Sequence, residues 1–569
     1  MRAAMTSLLL AGALAAPLAA RADAEPREAV SFSTTANVGV GRSVFVVGGH
    51  PDLGNWTPVN GVKLRYTAGD VWTGRVALSA GVSTEFKFIS RADTSNEYCQ
   101  ATNVVWLSPS NLPVSAAAIG ASSYTGKTVF YYTGWTQALL LASTDGVNFA
   151  DHPLSQVGTG RTPGEFLYRG SGIGSAGGSL EFVLHNGAGN YDKAPYGGYG
   201  NSNYFTRLDA FVLQDGQVYS YWPAPSVSAP RVVNTNVDST VATITGRGVR
   251  VYLPRGYDQH VWRRYPVLYM QDGTNVFDPG GSFGSWSADA TATREISQGR
   301  MREAIIVAVD NKANRRVEYN PPTDTYVGES PGTADKYLKF LLENVRPMAD
   351  FHFRTLTDRR NTLVGGSSMG GIFSIYAGYE TNVFGGLLAM SPAVTRAPNY
   401  TAALWARPRQ PMRIYLDTGS AEGQVGTIPG GDYWSKPWEA YDIFLSQGCA
   451  VNDDLVMRIG CGQQHNEDAW RARLPGALAF LLDAREDPSP ILAGQYPPRL
   501  GGSPTGVLDV ATLRRYAYRL EGTSNLVDGV WQSFGTSAVE HLPWGQMSLT
   551  GPPPAVGVSI LRAVAEPRP

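Results

Sequence analysis

The sequence predicts a multidomain chain in four parts: two N-terminal β-sandwiches, an α/β domain with a mostly parallel sheet, and a small C-terminal β domain. Three observations carry this reading. Apolar and polar residues alternate with period two over residues 28–222, punctuated by Gly, Asn and Pro. From residue 231 to 484 short apolar runs instead alternate with helical patterns, the signature of strands crossing over through helices. Proline-rich breaks separate the two styles, and 569 residues are too many for one core, with a prior of about three to four domains.

In chain order, residues 1–24 read as a signal peptide. Arg2 supplies the positive start, residues 5–20 are apolar, and Ala22-Asp23-Ala24 is a small-residue cleavage site that leaves Glu25 as the mature start. The apolar run is short for a membrane span. The expectation is therefore a secreted protein that keeps no membrane anchor after cleavage.

The first β-sandwich covers residues 28–118, with strand-like runs such as Ser43-Val44-Phe45-Val46-Val47 and Thr84-Glu85-Phe86-Lys87-Phe88. The second covers 122–222, with Thr128-Val129-Phe130-Tyr131-Tyr132 and Leu180-Glu181-Phe182-Val183-Leu184. A Pro/Ser linker, 222–230, leads into the α/β domain, 231–484. Its predicted strands are 265–270, 304–309, 362–364, 412–416 and 455–459, with a helical run over 333–351. Residues 500–569 return to short β-like runs, to which no function is assigned.

Of the three cysteines, Cys99, Cys449 and Cys461, the last two flank the strand 455–459. They would stand roughly 20 Å apart at strand rise, whereas a bridge needs Cα atoms within about 7 Å. No disulfide is expected.

Chemistry enters at Gly366-Ser367-Ser368-Met369-Gly370, where an apolar strand runs into a sharp turn and then a helix. Gly-x-Ser-x-Gly in that context is the nucleophile elbow of an α/β-hydrolase, which exposes one serine hydroxyl, here Ser368. A serine hydroxyl needs a base and an orienting acid. Both are expected in loops at the C-terminal ends of later strands, in the order serine, acid, histidine. Glu422 follows the strand 412–416 and His465 follows 455–459. His465 would take the Ser368 proton and return it to the leaving alkoxide, and Glu422 would fix the imidazole tautomer. Asp417 is an alternative acid, read as making a local turn bond. The oxyanion donors are expected to be the backbone amides of Met369 and of Thr274, in the loop after the first long strand. The histidines are scattered and no Cys/His pair has ligand spacing, so neither metal nor cofactor is expected.

The α/β segment resembles the esterase D-like family of enterochelin, feruloyl and acetylxylan esterases and mycolyltransferases. The resemblance rests on Tyr265-Pro266-Val267-Leu268-Tyr269-Met270-Gln271-Asp272-Gly273, Val309-Asp310-Asn311, Arg315-Arg316-Val317-Glu318-Tyr319, Phe353-Arg354-Thr355, the elbow, and His465-Asn466-Glu467-Asp468-Ala469-Trp470. It implies serine-type hydrolysis of carboxylic esters with Ser368, Glu422 and His465 as triad. Arg316 and Glu318 fall in a family stretch near the site, and are read as an ion pair beneath the cleft.

The first β-sandwich resembles the family 20 starch-binding module through Val46-Val47-Gly48-Gly49-His50-Pro51-Asp52-Leu53-Gly54-Asn55-Trp56, Trp72 and Glu85-Phe86-Lys87-Phe88. That resemblance implies sugar contacts at Trp56, Lys87, Tyr98 (in place of a second Trp) and Asn103, with Trp72 as core. Sugar C–H faces would stack on such rings. The second β-sandwich resembles, more faintly, the family 25 starch-binding module through Leu180-Glu181-Phe182-Val183-Leu184-His185-Asn186-Gly187, Asn190-Tyr191-Asp192 and Asn203-Tyr204. Phe149 and Tyr191 stand where that family has binding Trp residues, and Leu141 where it has a contacting His; a purely structural module is an equal reading.

A net charge of -1 gives no reason to expect nucleic acid as a partner, and 17% charged residues with 64 Gly, 13 Trp and 28 Tyr fit an exported carbohydrate-handling protein. The expected function is a secreted serine esterase bound to starch or a related α-glucan, removing acyl groups such as acetyl from polysaccharide. Alternatives are a feruloyl or acetylxylan esterase, a non-catalytic starch-binding protein, a siderophore esterase, and acyl transfer to an alcohol other than water.

Overall fold

The computed structural model describes residues 27–116 and 126–487, apart from 176, 196–201, 262, 326–327 and 423–432, together with the strands between residues 501 and 567. The expected signal peptide lies outside the described residues.

The central element is an eight-stranded sheet, numbered here β1 (Arg231–Val237), β2 (Arg247–Leu253), β3 (Val267–Gln271), β4 (Ile305–Val309), β5 (Thr362–Ser367), β6 (Gly386–Met390), β7 (Arg413–Gly419) and β8 (Leu455–Gly460). Its order is β1-β2-β4-β3-β5-β6-β7-β8. The β1–β2 and β2–β4 pairs are antiparallel and the remaining pairs parallel. Strands β3 to β6 are buried throughout, which is why they read as continuous apolar runs rather than alternations. The predicted strands fall within one to three residues of these bounds. The helical run 333–351 is found as Ala334–Phe340 and Arg346–His352 joined by one π-helical turn, Leu341–Val345. Pro347 has no N–H to offer the turn before it, and the wider turn accommodates the missing bond.

Residues 27–116 form a three-stranded sheet, including Val71–Ser79, packed on a five-stranded sheet that includes Ser83–Ala92, around Phe32, Val46, Trp72, Val76 and Phe88. Trp72 is core, as expected. Residues 127–219 make two five-stranded sheets whose inner faces share Val129, Tyr131, Leu140, Phe182 and Phe211. Beyond the α/β domain, six strands pair in two three-stranded antiparallel sheets, Gly501–Gly502 with Leu508–Ala511 and Gln546–Leu549, and Gln532–Thr536 with Tyr516–Thr523 and Ile560–Pro567.

The first β region is fastened to the edge of the large sheet. Ala77 N–H donates to Val451 C=O (2.9 Å) and Val451 N–H to Arg75 C=O (2.8 Å), just ahead of β8. Trp434 Nε1 donates to Asp93 C=O (2.8 Å) and Tyr441 OH to Lys63 C=O (3.1 Å). A disulfide joins Cys99 to Cys461, with Cα atoms 5.8 Å apart. This corrects the expectation of no bridge. Strand β8 does separate Cys449 from Cys461, but the partner comes from another part of the chain. Cys449 stays a buried free thiol, pushed up to about 11 by burial.

A second correction concerns Arg316 and Glu318. Glu318 is fully buried and pairs with Arg247 of β2 at 2.8 Å, while Arg316 reaches outward to Glu329 at 3.4 Å.

The second β region meets the α/β domain through a buried polar cluster. Tyr221 OH donates to Glu303 (2.8 Å), and His260 places Nδ1 3.0 Å from that hydroxyl while Nε2 accepts from Ala224 N–H at 3.0 Å. Burial, aided by Arg263 and Arg354, holds the His260 imidazole down to about 4. The unfolded chain, with an ordinary imidazole, binds the proton first as pH falls, so stability is full above about 6.5 and drains between there and about 4. The expected loss is about 3 kcal/mol over that window. In thermal unfolding measured from pH 7 to pH 4, His260→Gln should flatten this slope; an unchanged slope would contradict the assignment.

Candidate active site

Four consecutive strand ends build the site. At the end of β5, Ser368 has φ 54° and ψ -118°, a backbone conformation that is costly for a residue with a Cβ and is retained here by the packing around it. Its N–H donates to Met390 C=O (3.0 Å) and its C=O accepts from Ala393 N–H (2.9 Å), which pins the turn to the end of β6. Gly366 and Gly370 are required by proximity: a Cβ on Gly366 would lie 2.9 Å from the Gly370 carbonyl carbon, and one on Gly370 would lie 3.1 Å from Gln271 Cβ. The helix Met369–Glu380 follows, and the Ser368 side chain makes no capping bond to it.

The acid loop follows β7. Glu422 is buried, and its Oε2 lies 2.8 Å from His465 Nδ1. Its Oε1 accepts from Gly419 N–H (2.7 Å) and from Ser391 Oγ (2.5 Å), the latter on the turn that also holds Ser368. Asp417 is not a local turn acceptor as the sequence suggested. It is fully buried, accepts Ser391 N–H at 2.9 Å, and lies 2.9 Å from Arg473 Nε. Burial pushes its carboxyl up from the usual range against the pull of Arg473. Arg473, on the helix Glu467–Leu481, also reaches Glu422 Oε1 at 3.4 Å. One guanidinium thus holds both candidate acids, and only Glu422 faces the imidazole.

His465 follows β8. Its ring lies against Tyr433 (4.1 Å between centroids) and edge-on to Trp470 (5.0 Å). With Nδ1–H donated to Glu422, Nε2 carries the lone pair. Nε2 is buried and has no hydrogen-bond partner among the described residues, Ser368 Oγ included. A buried unsatisfied nitrogen costs free energy, and such orphans collect where chemistry is done. The arrangement presents an unused hydroxyl, a basic nitrogen and a buried carboxylate behind it, the parts of acyl transfer through a serine.

The two expected oxyanion donors are also open. Among the described residues no acceptor takes the Met369 or the Thr274 N–H. Met369 begins the elbow helix, where amides have no partner in the helix itself. The Thr274 loop is held at its start by Asp272, which takes two bonds from Arg315 of the helix Arg315–Glu318 at 2.5 and 2.7 Å.

On the first β region the residues expected to contact sugar stand in different surroundings. Trp56 is half-buried with φ 60°, next to Thr84 across Gly49. Tyr98 is not an open platform: it packs against Trp438 (5.1 Å), Trp434 (5.8 Å) and Phe45 (5.8 Å), with the Arg91 guanidinium 4.6 Å from its ring. Asn103 is tied to Glu97 through its backbone N–H at 2.6 Å, so it shapes a turn. The exposed ring beside Lys87 is instead Trp106, 48% exposed, with Lys87 Nζ 5.4 Å from its centroid. Asn111 stands on the same edge, donating to Glu85 at 2.7 Å. The spacing Trp106 to Asn111 repeats that of Tyr98 to Asn103, and the strand that follows Lys87 was the signal that should have chosen between them. On the second β region Tyr191 is half exposed and stacks on His185 (5.4 Å), while Phe149 is half-buried beside the strand Ala150–Pro153 of the same sheet.

Residues 241–488 match the family model described as "Putative esterase", and residues 27–123 match that described as "Starch binding domain". The chain joins an α/β-hydrolase esterase domain to a starch-binding module. The first match classes the catalytic domain with carboxylic ester hydrolases. Curated relatives match in parts. An "Alpha-amylase" of Streptomyces violaceus is 39% identical over 90 residues (16% of this chain, 15% of that protein). An "Endo-1,4-beta-xylanase/feruloyl esterase" of Xylanibacter ruminicola is 32% identical over 130 residues (21% of this chain, 16% of that protein). The chain thus spans about a sixth of the length of each. Among solved structures, a ferulic acid esterase from Anaeromyces mucronatus shares 25% identity (47% of this chain, 95% of that one, TM-score 0.33), and the enterobactin esterase of Shigella flexneri shares 14% (80% and 92%, TM-score 0.35). Among the described residues no helix is long and apolar enough to cross a membrane, and no three His, Cys, Asp or Glu side chains gather as metal ligands.

Proposed function

We propose that the protein is an exported serine esterase that docks on starch-type α-glucan and removes acyl groups, acetyl foremost, from the polysaccharide. The observation that carries the chemistry is the His465 pairing: Nδ1 bound to buried Glu422 at 2.8 Å and Nε2 left without a partner among the described residues. Ser368 loses its proton to Nε2 as its oxygen attacks the ester carbonyl, and the amides of Met369 and Thr274 take the oxyanion. His465 then protonates the leaving sugar alkoxide. Water, activated by the same imidazole, releases the carboxylic acid and restores Ser368. The Glu422 carboxylate stabilises the imidazolium formed in each half.

Docking is assigned to Trp56, Lys87, Trp106 and Asn111 of the starch-binding module, where an exposed indole and flanking donors suit a sugar ring. Holding the enzyme on its polymer raises the local substrate concentration without any new catalytic contact. The test is co-sedimentation with granular starch. Trp106→Ala should weaken retention at least tenfold, and Asn103→Ala should leave it within twofold; the reverse ranking would restore the Tyr98–Asn103 edge as the docking site.

A further inference from the structure

The seam between the starch-binding module and the esterase domain is not closed throughout. A cavity of about 420 Å³ lies between the module's 51–63 segment and strand β8 with the helix Ser435–Ser446. That is within the roughly 300–1,000 Å³ of small-ligand sites. Its lining includes Cys461 of the disulfide, four residues before His465. Its lining combines rings and polar groups from both domains, with Tyr98 from the module beside Trp438 of the esterase domain, and with Asn55 and Asn60 of the module and Arg458 of β8.

The polar groups are the informative part. Among the described residues, the side chains of Asn55, Asn60 and Arg458 make no hydrogen bond or ion pair. The other charges in the lining are matched: Asp52 by Arg27 at 2.9 Å, and Lys63 by Asp93 at 3.9 Å with the Trp438 ring 4.8 Å away. Two amides and one guanidinium beside aromatic rings suit a neutral polyhydroxylated ligand, whose hydroxyl pairs they can bond and whose C–H faces the rings can meet. A single unmatched cation is a poor basis for a polyanion site.

We propose that this cavity is a glucan subsite shared by the two domains, holding a short segment of α-glucan between the module's docking edge and the loop that carries His465. It rests on the glucan-docking part of the proposed function and not on the ester chemistry. The disulfide and the Val76–Val451 pairing keep its two walls in register. Tyr98 then contributes to glucan binding from inside the seam rather than on an open face.

The test is calorimetric titration of the full-length chain with maltotriose. Trp56→Ala/Trp106→Ala/Tyr191→Ala removes three candidate stacking rings from the two β regions. This variant should retain one weak binding event. Adding Asn60→Ala/Arg458→Ala should lower its affinity at least tenfold, and adding Asn60→Trp, which fills the cavity, should abolish it. Both positions are exposed, so the thermal transition should not move. The proposal is overturned if the triple variant binds no maltotriose, or if its remaining affinity is unmoved by either addition. Failure of glucan docking itself would show earlier, as absent binding by the unsubstituted chain.

Discussion

Ser368→Ala should lower the turnover of p-nitrophenyl acetate by a factor on the order of 10⁴ to 10⁶, because attacking oxygen and general base act as one unit. The remaining rate would come from the oxyanion amides and binding alone. Starch retention should be unchanged, since the docking edge lies in another domain. The same substitution removes a side chain that caps no helix and, among the described residues, bonds no neighbour, so the thermal transition should stay within a few degrees. A rate within tenfold of the unsubstituted enzyme would show that the hydroxyl is not the nucleophile, and that the strained turn at φ 54° serves some other purpose.

The second large effect is expected at Arg473, which is buried behind the two candidate acids. It pairs with buried Asp417 at 2.9 Å and reaches Glu422 at 3.4 Å. Arg473→Met would leave the Asp417 carboxylate without its cation, a change that typically costs about 3–5 kcal/mol. It would also free the Glu422 carboxylate to shift away from His465, so kcat should fall while KM changes little. Burial already raises the Asp417 carboxyl, and removing the guanidinium should raise it further. The variant's deficit should therefore narrow as pH falls and Asp417 becomes neutral in the folded state. Thermal unfolding of both proteins between pH 7 and pH 5 checks the sign: a deficit that widens in acid would contradict the assignment. Arg473→Lys, which keeps a charge but loses the fork, should recover part of the stability.

Most of the esterase domain was legible because its signals are local. The strand before Ser368, the glycines that let helix and strand approach, and the order of the acid and histidine loops are each written within a few residues. The errors share one cause, which is that the deciding partner lies far along the chain. Cys461 finds Cys99, 362 residues away, so spacing around β8 could not reveal the bridge. Glu318 chooses Arg247 on a neighbouring strand over Arg316 two residues away, whose side chain points to solvent. Tyr98 reads as an open stacking residue by position, yet the ring lies in the seam against Trp434 and Trp438, which no reading of the module alone contains. Asp417 reads as a turn former from its neighbours alone, because Arg473 and Ser391 reach it from a helix and from the turn after β6.

The central claim, that a serine esterase is docked on α-glucan in order to deacylate it, is tested most directly by product analysis. The enzyme would be given acetylated starch, acetylxylan and methyl ferulate in parallel at equal ester concentration, and released acetate and ferulate measured over time. Acetate from acetylated starch should appear fastest, and should disappear with Ser368→Ala. Release of ferulate with no acetate from acetylated starch would contradict the account and place the esterase on a different polymer.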